Sequence, residues 1–144
     1  MTSGPDSSGL AGDELDGFRI GYLPPGIGEL VSDFVTEWEG VRFTTRVWER
    51  PVDEGYRVDV RVHVLRGGRL TTLANLRDFL VEYDERPADW ALIAFRHGAA
   101  EGFSDGTEAF WLVEPGVAVD LRVDPERFDT GTPLTIAESI ITLG

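Results

Sequence analysis

The chain has 144 residues, an apolar content of 42% and a formal net charge of −13. That length predicts one domain with a core of its own, and a field of that sign repels phosphate backbones, so no nucleic-acid partner is expected. Cysteine is absent, which excludes disulfides and thiolate metal sites.

Residues 1–16 are rich in Gly, Ser and Asp and poor in large apolar side chains. They read as a disordered acidic tail ahead of a single α+β domain over 17–144. They carry neither the basic nor the apolar segment of a signal peptide. A cytoplasmic location is expected if the chain start is native, and an extracytoplasmic one if a signal or anchor was trimmed. No apolar run is long enough for a bilayer, so membrane insertion is not expected.

Residues 18–23 alternate as a first strand, ended by Pro24-Pro25-Gly26. Gly26-Ile27-Gly28 lacks the third glycine of a dinucleotide fingerprint and reads as a turn. Residues 29–38 fit either a strand or a helix, and strand is preferred. Residues 41–48 form a firmer strand, with Val41, Phe43, Thr45 and Val47 on one face and Arg42, Thr44, Arg46 and Trp48 on the other. In residues 56–64 five alternate positions are Tyr or Val, opposite Arg57, Asp59, Arg61 and His63. This is the pattern of a half-buried antiparallel strand.

Thr72 caps a helix expected to run to about Glu85, with Leu73, Leu76, Phe79, Leu80 and Tyr83 as its apolar stripe. Residues 91–97 predict a strand and 98–106 a glycine-containing loop. Residues 108–123 predict a hairpin about Pro115-Gly116, with Leu112 facing Val119 and Phe110 facing Leu121. That register puts Phe110, Leu112, Val119 and Leu121 on the core face and Trp111, Ala118, Asp120 and Arg122 on the other. Thr132-Pro133 opens a last helix over 134–143. The order describes an α+β domain, mainly antiparallel, with two helices at about 70–85 and 132–143 packed on the sheet.

A phenylalanine-led first strand running into Leu23-Pro24-Pro25-Gly26, a Phe110-Trp111-Leu112 strand before a tight turn, Gly116-Val117-Ala118-Val119-Asp120-Leu121, and a closing Leu134 to Ile140 segment carry a resemblance. Over residues 17–141 the chain resembles small α+β domains of Gram-positive, chiefly actinobacterial, lipoproteins and anti-sigma-associated proteins. It is more loosely similar to PsbP-like domains. The resemblance implies a PsbP-like sandwich with a binding or regulatory role and no catalytic residue to carry over.

The chemistry-bearing residues point the same way. His63 and His97 lack metal-ligand spacing, and no metal or cofactor is expected. Gly102-Phe103-Ser104-Asp105-Gly106 matches the spacing of a nucleophile elbow, but a strand rather than a helix follows it. Carboxylate pairs such as Asp84-Glu85 read as solvated charge. The constellation that stands out is a polar sheet face of Arg42, Arg46, Trp48, Arg57, Arg61 and His63, joined by Trp111 and Arg122 if the hairpin shares the sheet. Guanidinium forks suit carboxylate or phosphate groups. The function expected is a non-enzymatic domain binding a protein partner or small ligand through this face, with Asp59, Asp120 and Glu49 available to neutralise it internally. Alternatives are a homo-oligomeric accessory subunit joined through Trp38, Trp48 or Trp111, and a small enzyme with His63 or His97 as base.

Overall fold

The computed structural model describes residues 12–143. A seven-stranded antiparallel sheet organises the chain. Its strands are β3 (Leu30–Trp38), β4 (Val41–Val52), β5 (Gly55–Arg66), β6 (Ile93–His97), β7 (Ala100–Ser104), β8 (Glu108–Glu114) and β9 (Val117–Val123), in the spatial order β3-β4-β5-β9-β8-β7-β6. A second sheet joins β1 (Glu14–Leu15), β2 (Phe18–Ile20) and β10 (Ile140–Thr142), with β2 in the middle. The helices are α1 (Leu73–Tyr83) and α2 (Thr132–Ser139). The architecture is mixed and sheet-dominated, as the alternation predicts. No helix among the described residues is long and apolar enough to cross a membrane.

Both faces of the large sheet are covered. On one, Val60, Val62, Val64, Trp111, Val119 and Leu121 pack against Leu15, Phe18 and Ile20 of the small sheet and Ile136, Ala137 and Ile140 at α2. On the other, Val41, Phe43, Leu65, Phe110 and Ala118 pack against Leu76, Phe79 and Leu80 of α1. α1 begins where the sequence places it, with Thr72 Oγ1 accepting the Asn75 backbone N–H at 3.0 Å.

Several boundaries move. Of the expected tail, residues 1–11 lie outside the described residues, while 12–16 enter the fold, with Leu15 buried. The predicted loop over 98–106 contains β7. Gly102 allows it, because a Cβ there would overlap the Phe110 carbonyl and the Phe95 ring. The last helix stops at Ser139, and Ile140 and Ile141 pair with Ile20 and Arg19 instead. β-branched residues favour that outcome. α2 starts at Thr132 after Gly131, so the Thr132 hydroxyl is not its cap.

The largest correction concerns the hairpin. Gly116 has φ 92°, as the third position of a type II turn requires. Type II turns splay a two-residue hairpin, and the ladder shifts register between Val117 and Ala118. Val119 therefore pairs with Trp111 and Leu121 with Ala109, not with Leu112 and Phe110. A one-residue slip exchanges the faces of a whole strand. Trp111 enters the core beneath the small sheet, and Glu108, Phe110 and Leu112 turn toward α1 beside Asp120 and Arg122.

Candidate functional site

The eight residues expected to share one polar face do not share it. Thr45 pairs with His63 and Val47 with Arg61, so Arg42, Arg46 and Trp48 lie on the valine side of β5. The reason is that neither face of the sheet's central strands is wet, so strand alternation alone does not say which polar positions coincide. Trp48 and Trp111 are core residues, 5% and 1% exposed, and so are unavailable as interface tryptophans. Trp38 is half-buried against Phe79 and Tyr83. A second register shift, between Trp48 and Glu49, leaves Arg57 opposite Arg50.

Three of the five arginines are neutralised internally. Arg46 grips Asp33 through Nε and Nη2 at 2.7 and 2.8 Å and also donates to the Gly12 and Glu14 carbonyls. Arg42 and Arg66, directly opposed across β4 and β5, share Asp16 at 3.6 and 2.9 Å. Arg57 donates to Asp124 at 2.8 Å. Asp59, fully buried, accepts from Gly28 N at 2.8 Å and Arg50 Nε at 2.9 Å. Burial pushes the Asp124 carboxyl up, but the Glu126 backbone N–H and Arg57 hold it below the usual range.

Arg61 and Arg122 are different. They are direct cross-strand partners, an arrangement that costs free energy for like charges. Among the described residues no carboxylate oxygen lies within the 4.0 Å of an ion pair from either. Arg61 Nε and Nη2 are buried without a hydrogen-bond partner. Both side chains line an open pocket of about 220 Å³, with Arg57, Val58, Asp59 and Val123 to Pro125, where β9 leaves the sheet after Val123.

The sequence reading missed the neighbouring group. The hairpin bulge brings Glu108 and Asp120 to the α1 face, and Asp84 caps the C-terminal end of α1 above them. Oxygens of Asp84, Glu108 and Asp120 lie within 4.8 Å of one another. Glu108 accepts from Arg86 Nη2 at 2.7 Å, and Arg86 lies over the Trp90 ring. Burial and then the charge of Glu108 raise Asp120 well above the carboxylate range, and the same two causes raise Asp84 to about 6, against the opposing pull of Arg61 and Arg122. Both shifts favour the protonated carboxyl, because burial and a neighbouring like charge each disfavour ionisation. Three carboxylates at this spacing also suit a hard divalent cation, which here would compete with three guanidinium groups.

The remaining candidates are engaged. His63 Nδ1 meets Thr45 Oγ1 at 2.6 Å, and burial, then Arg61, lowers its pKa to about 3, so the ring stays neutral. His97 stacks on Trp111 at 4.5 Å and its Nε2 donates to the Ile140 carbonyl at 2.7 Å. Ser104 Oγ donates to the Glu108 carbonyl at 2.9 Å and accepts from Gly106 N, closing a turn. Asp105 in that turn is pushed up by burial, but the backbone N–H groups of Thr107 and Glu108 and the Trp90 indole hold it below its ordinary value. No family model, curated protein or solved structure matches the chain.

Proposed function

We propose that the chain is a non-enzymatic binding domain that takes a carboxylate between Arg61 and Arg122. The observation that carries this reading is the adjacency of two guanidinium groups without an ion-paired carboxylate, one of them with buried unmet donors, at the mouth of a pocket. A carboxylate offers acceptors to the unmet donors of Arg61 and relieves the repulsion between the two guanidinium groups. The pocket is smaller than those that enclose drug-sized ligands, so it fits a short acidic group: a small dicarboxylate, or an Asp or Glu side chain of a partner protein. Arg42, Arg46 and Arg57, already paired, act as scaffold. The resemblance to small α+β domains of Gram-positive lipoproteins and anti-sigma-associated proteins, and more loosely to PsbP-like domains, implies a binding or regulatory role.

Calorimetric titration with succinate and with a Glu-rich peptide, at constant ionic strength, tests this. Saturable binding is expected, with Arg61→Gln or Arg122→Gln weakening it about tenfold or more, the scale of a lost charged hydrogen bond. Tighter binding of the peptide identifies a protein partner, and tighter binding of succinate a free metabolite. Binding unchanged in both variants would sink the proposal.

A further inference from the structure

Strand β3 is the longer of the sheet's two edge strands, nine residues against five in β6. Its nine residues are exposed except for half-buried Trp38, and Leu30, Val31, Phe34 and Val35 are 38–62% exposed. Among the described residues only β4 pairs with it, so its outer edge presents unpaired backbone groups. Natural edge strands are guarded by proline, charged side chains, bulges or shortness. β3 has no proline, its ladder with β4 runs without a register shift, it is long, and its only charges are Asp33 and Glu37.

We propose that β3 is the contact through which two copies of this chain join, edge to edge and antiparallel, about a two-fold axis at Phe34. The charges along the strand select the partner and the register. An axis perpendicular to the sheet keeps each face on its own side, so it must pass through a residue, not between two. An axis at Asp33 would set Asp33 against its own copy, and one at Val35 would set Asp33 against Glu37. Both are like-charge pairs, which destabilise a sheet, and both shorten the overlap.

Centred on Phe34, all nine residues pair. Phe34 meets Phe34, Leu30 meets Trp38, Ser32 meets Thr36, and the acidic residues face valines: Asp33 against Val35 and Glu37 against Val31. Asp33 keeps its ion pair with Arg46 of its own copy and meets no second carboxylate in this register. This register sets Glu29 against Glu39, but both lie beyond the strand's ends, and Glu39 sits in the β3–β4 turn with Arg69 at 4.0 Å. Leu30 of one copy then extends the aromatic group that Trp38 forms with Phe79 and Tyr83 in the other.

The absence of cysteine makes the test direct. Light scattering of the full chain should give twice the 15.9 kDa of one copy, and Phe34→Lys should return it to one. Under mild oxidation Phe34→Cys should form an intermolecular disulfide. Directly opposed Cα atoms lie about 4.5–5.5 Å apart, within disulfide reach. Val35→Cys, whose copy is displaced diagonally by about 7–8 Å, should not. A mass of one copy at all concentrations, or cross-linking of Phe34→Cys no faster than that of Ile93→Cys on the opposite edge, would overturn the proposal. So would a β3 edge occupied only by a different protein.

Discussion

Trp111→Ala should destabilise the protein by about 3–5 kcal/mol, the range for removing a large buried aromatic side chain. That is a large part of the roughly 5–15 kcal/mol that holds a typical domain together. The expectation follows from the register of the β8–β9 hairpin. Trp111 is 1% exposed, stacked on His97 and edge-on to Phe95 at 6.2 Å. Without the bulge it would face away from Val119, and Leu112 would take its place. Denaturant unfolding of Trp111→Ala beside Leu112→Ala separates the two registers. The observed ladder requires Trp111→Ala to be clearly the costlier change. The unbulged hairpin requires the reverse.

Asp120→Asn should stabilise the protein, and the gain should grow with pH. Asp120 is a fully buried carboxyl with neither oxygen partnered, beside Glu108 and Asp84. Its folded pKa is raised, so the folded state holds a proton that the unfolded chain releases near pH 4. Its stabilising contribution is full below that pH and is lost as pH rises toward the folded value. Asp84 behaves alike between about pH 4 and about 6. His63 runs the other way. Its folded pKa of about 3 lies below the unfolded value of 6.5, so its contribution is present above 6.5 and lost as pH falls.

These slopes overlap in the wild-type protein, and the substitution isolates one of them. Asparagine reproduces the protonated side chain and never ionises. The stability gap between variant and wild type should be near zero at pH 4 and widen by up to about 1.4 kcal/mol per pH unit until the folded pKa is passed. Chemical denaturation at pH 4 and pH 8 checks this. Equal gaps would mean that Asp120 is not held protonated.

Much of the scaffold was legible in the sequence. Period-two alternation located β4 and β5, Thr72 marked the start of α1, and Pro115-Gly116 marked the hairpin tip. What the sequence did not carry was which strand faces coincide. Alternation assigns inside and outside only where one face is wet, and this sheet is covered twice, by α1 and by the small sheet with α2. Arg46 and Trp48 consequently lie with Val60 and Val62, not with Arg61 and His63.

The carboxylate cluster was hidden for a related reason. Glu108 and Asp120 share a face only through a bulge beside the turn, and Asp84 resembled an ordinary solvated residue at a helix end. One signal was present: Glu108 leads directly into Ala109-Phe110-Trp111, where residues on both faces are buried. A carboxylate in such a strand is rarely left unpaired in an interior. Arg61 and Arg122 were among the residues singled out, but their lack of ion-paired carboxylates was not readable without the ladder that leads Arg57 to Asp124 and Arg50 to Asp59.

The most direct test of the binding reading is to follow the arginine Nε–Hε resonances by NMR while succinate is added. Arg61 and Arg122 should shift together and saturate, and should not respond to chloride at the same ionic strength. Arg46 and Arg50, held by Asp33 and Asp59, should stay in place. Uniform drift of all the arginines, or no movement of Arg61 and Arg122, would contradict the assignment of this pair as the ligand site.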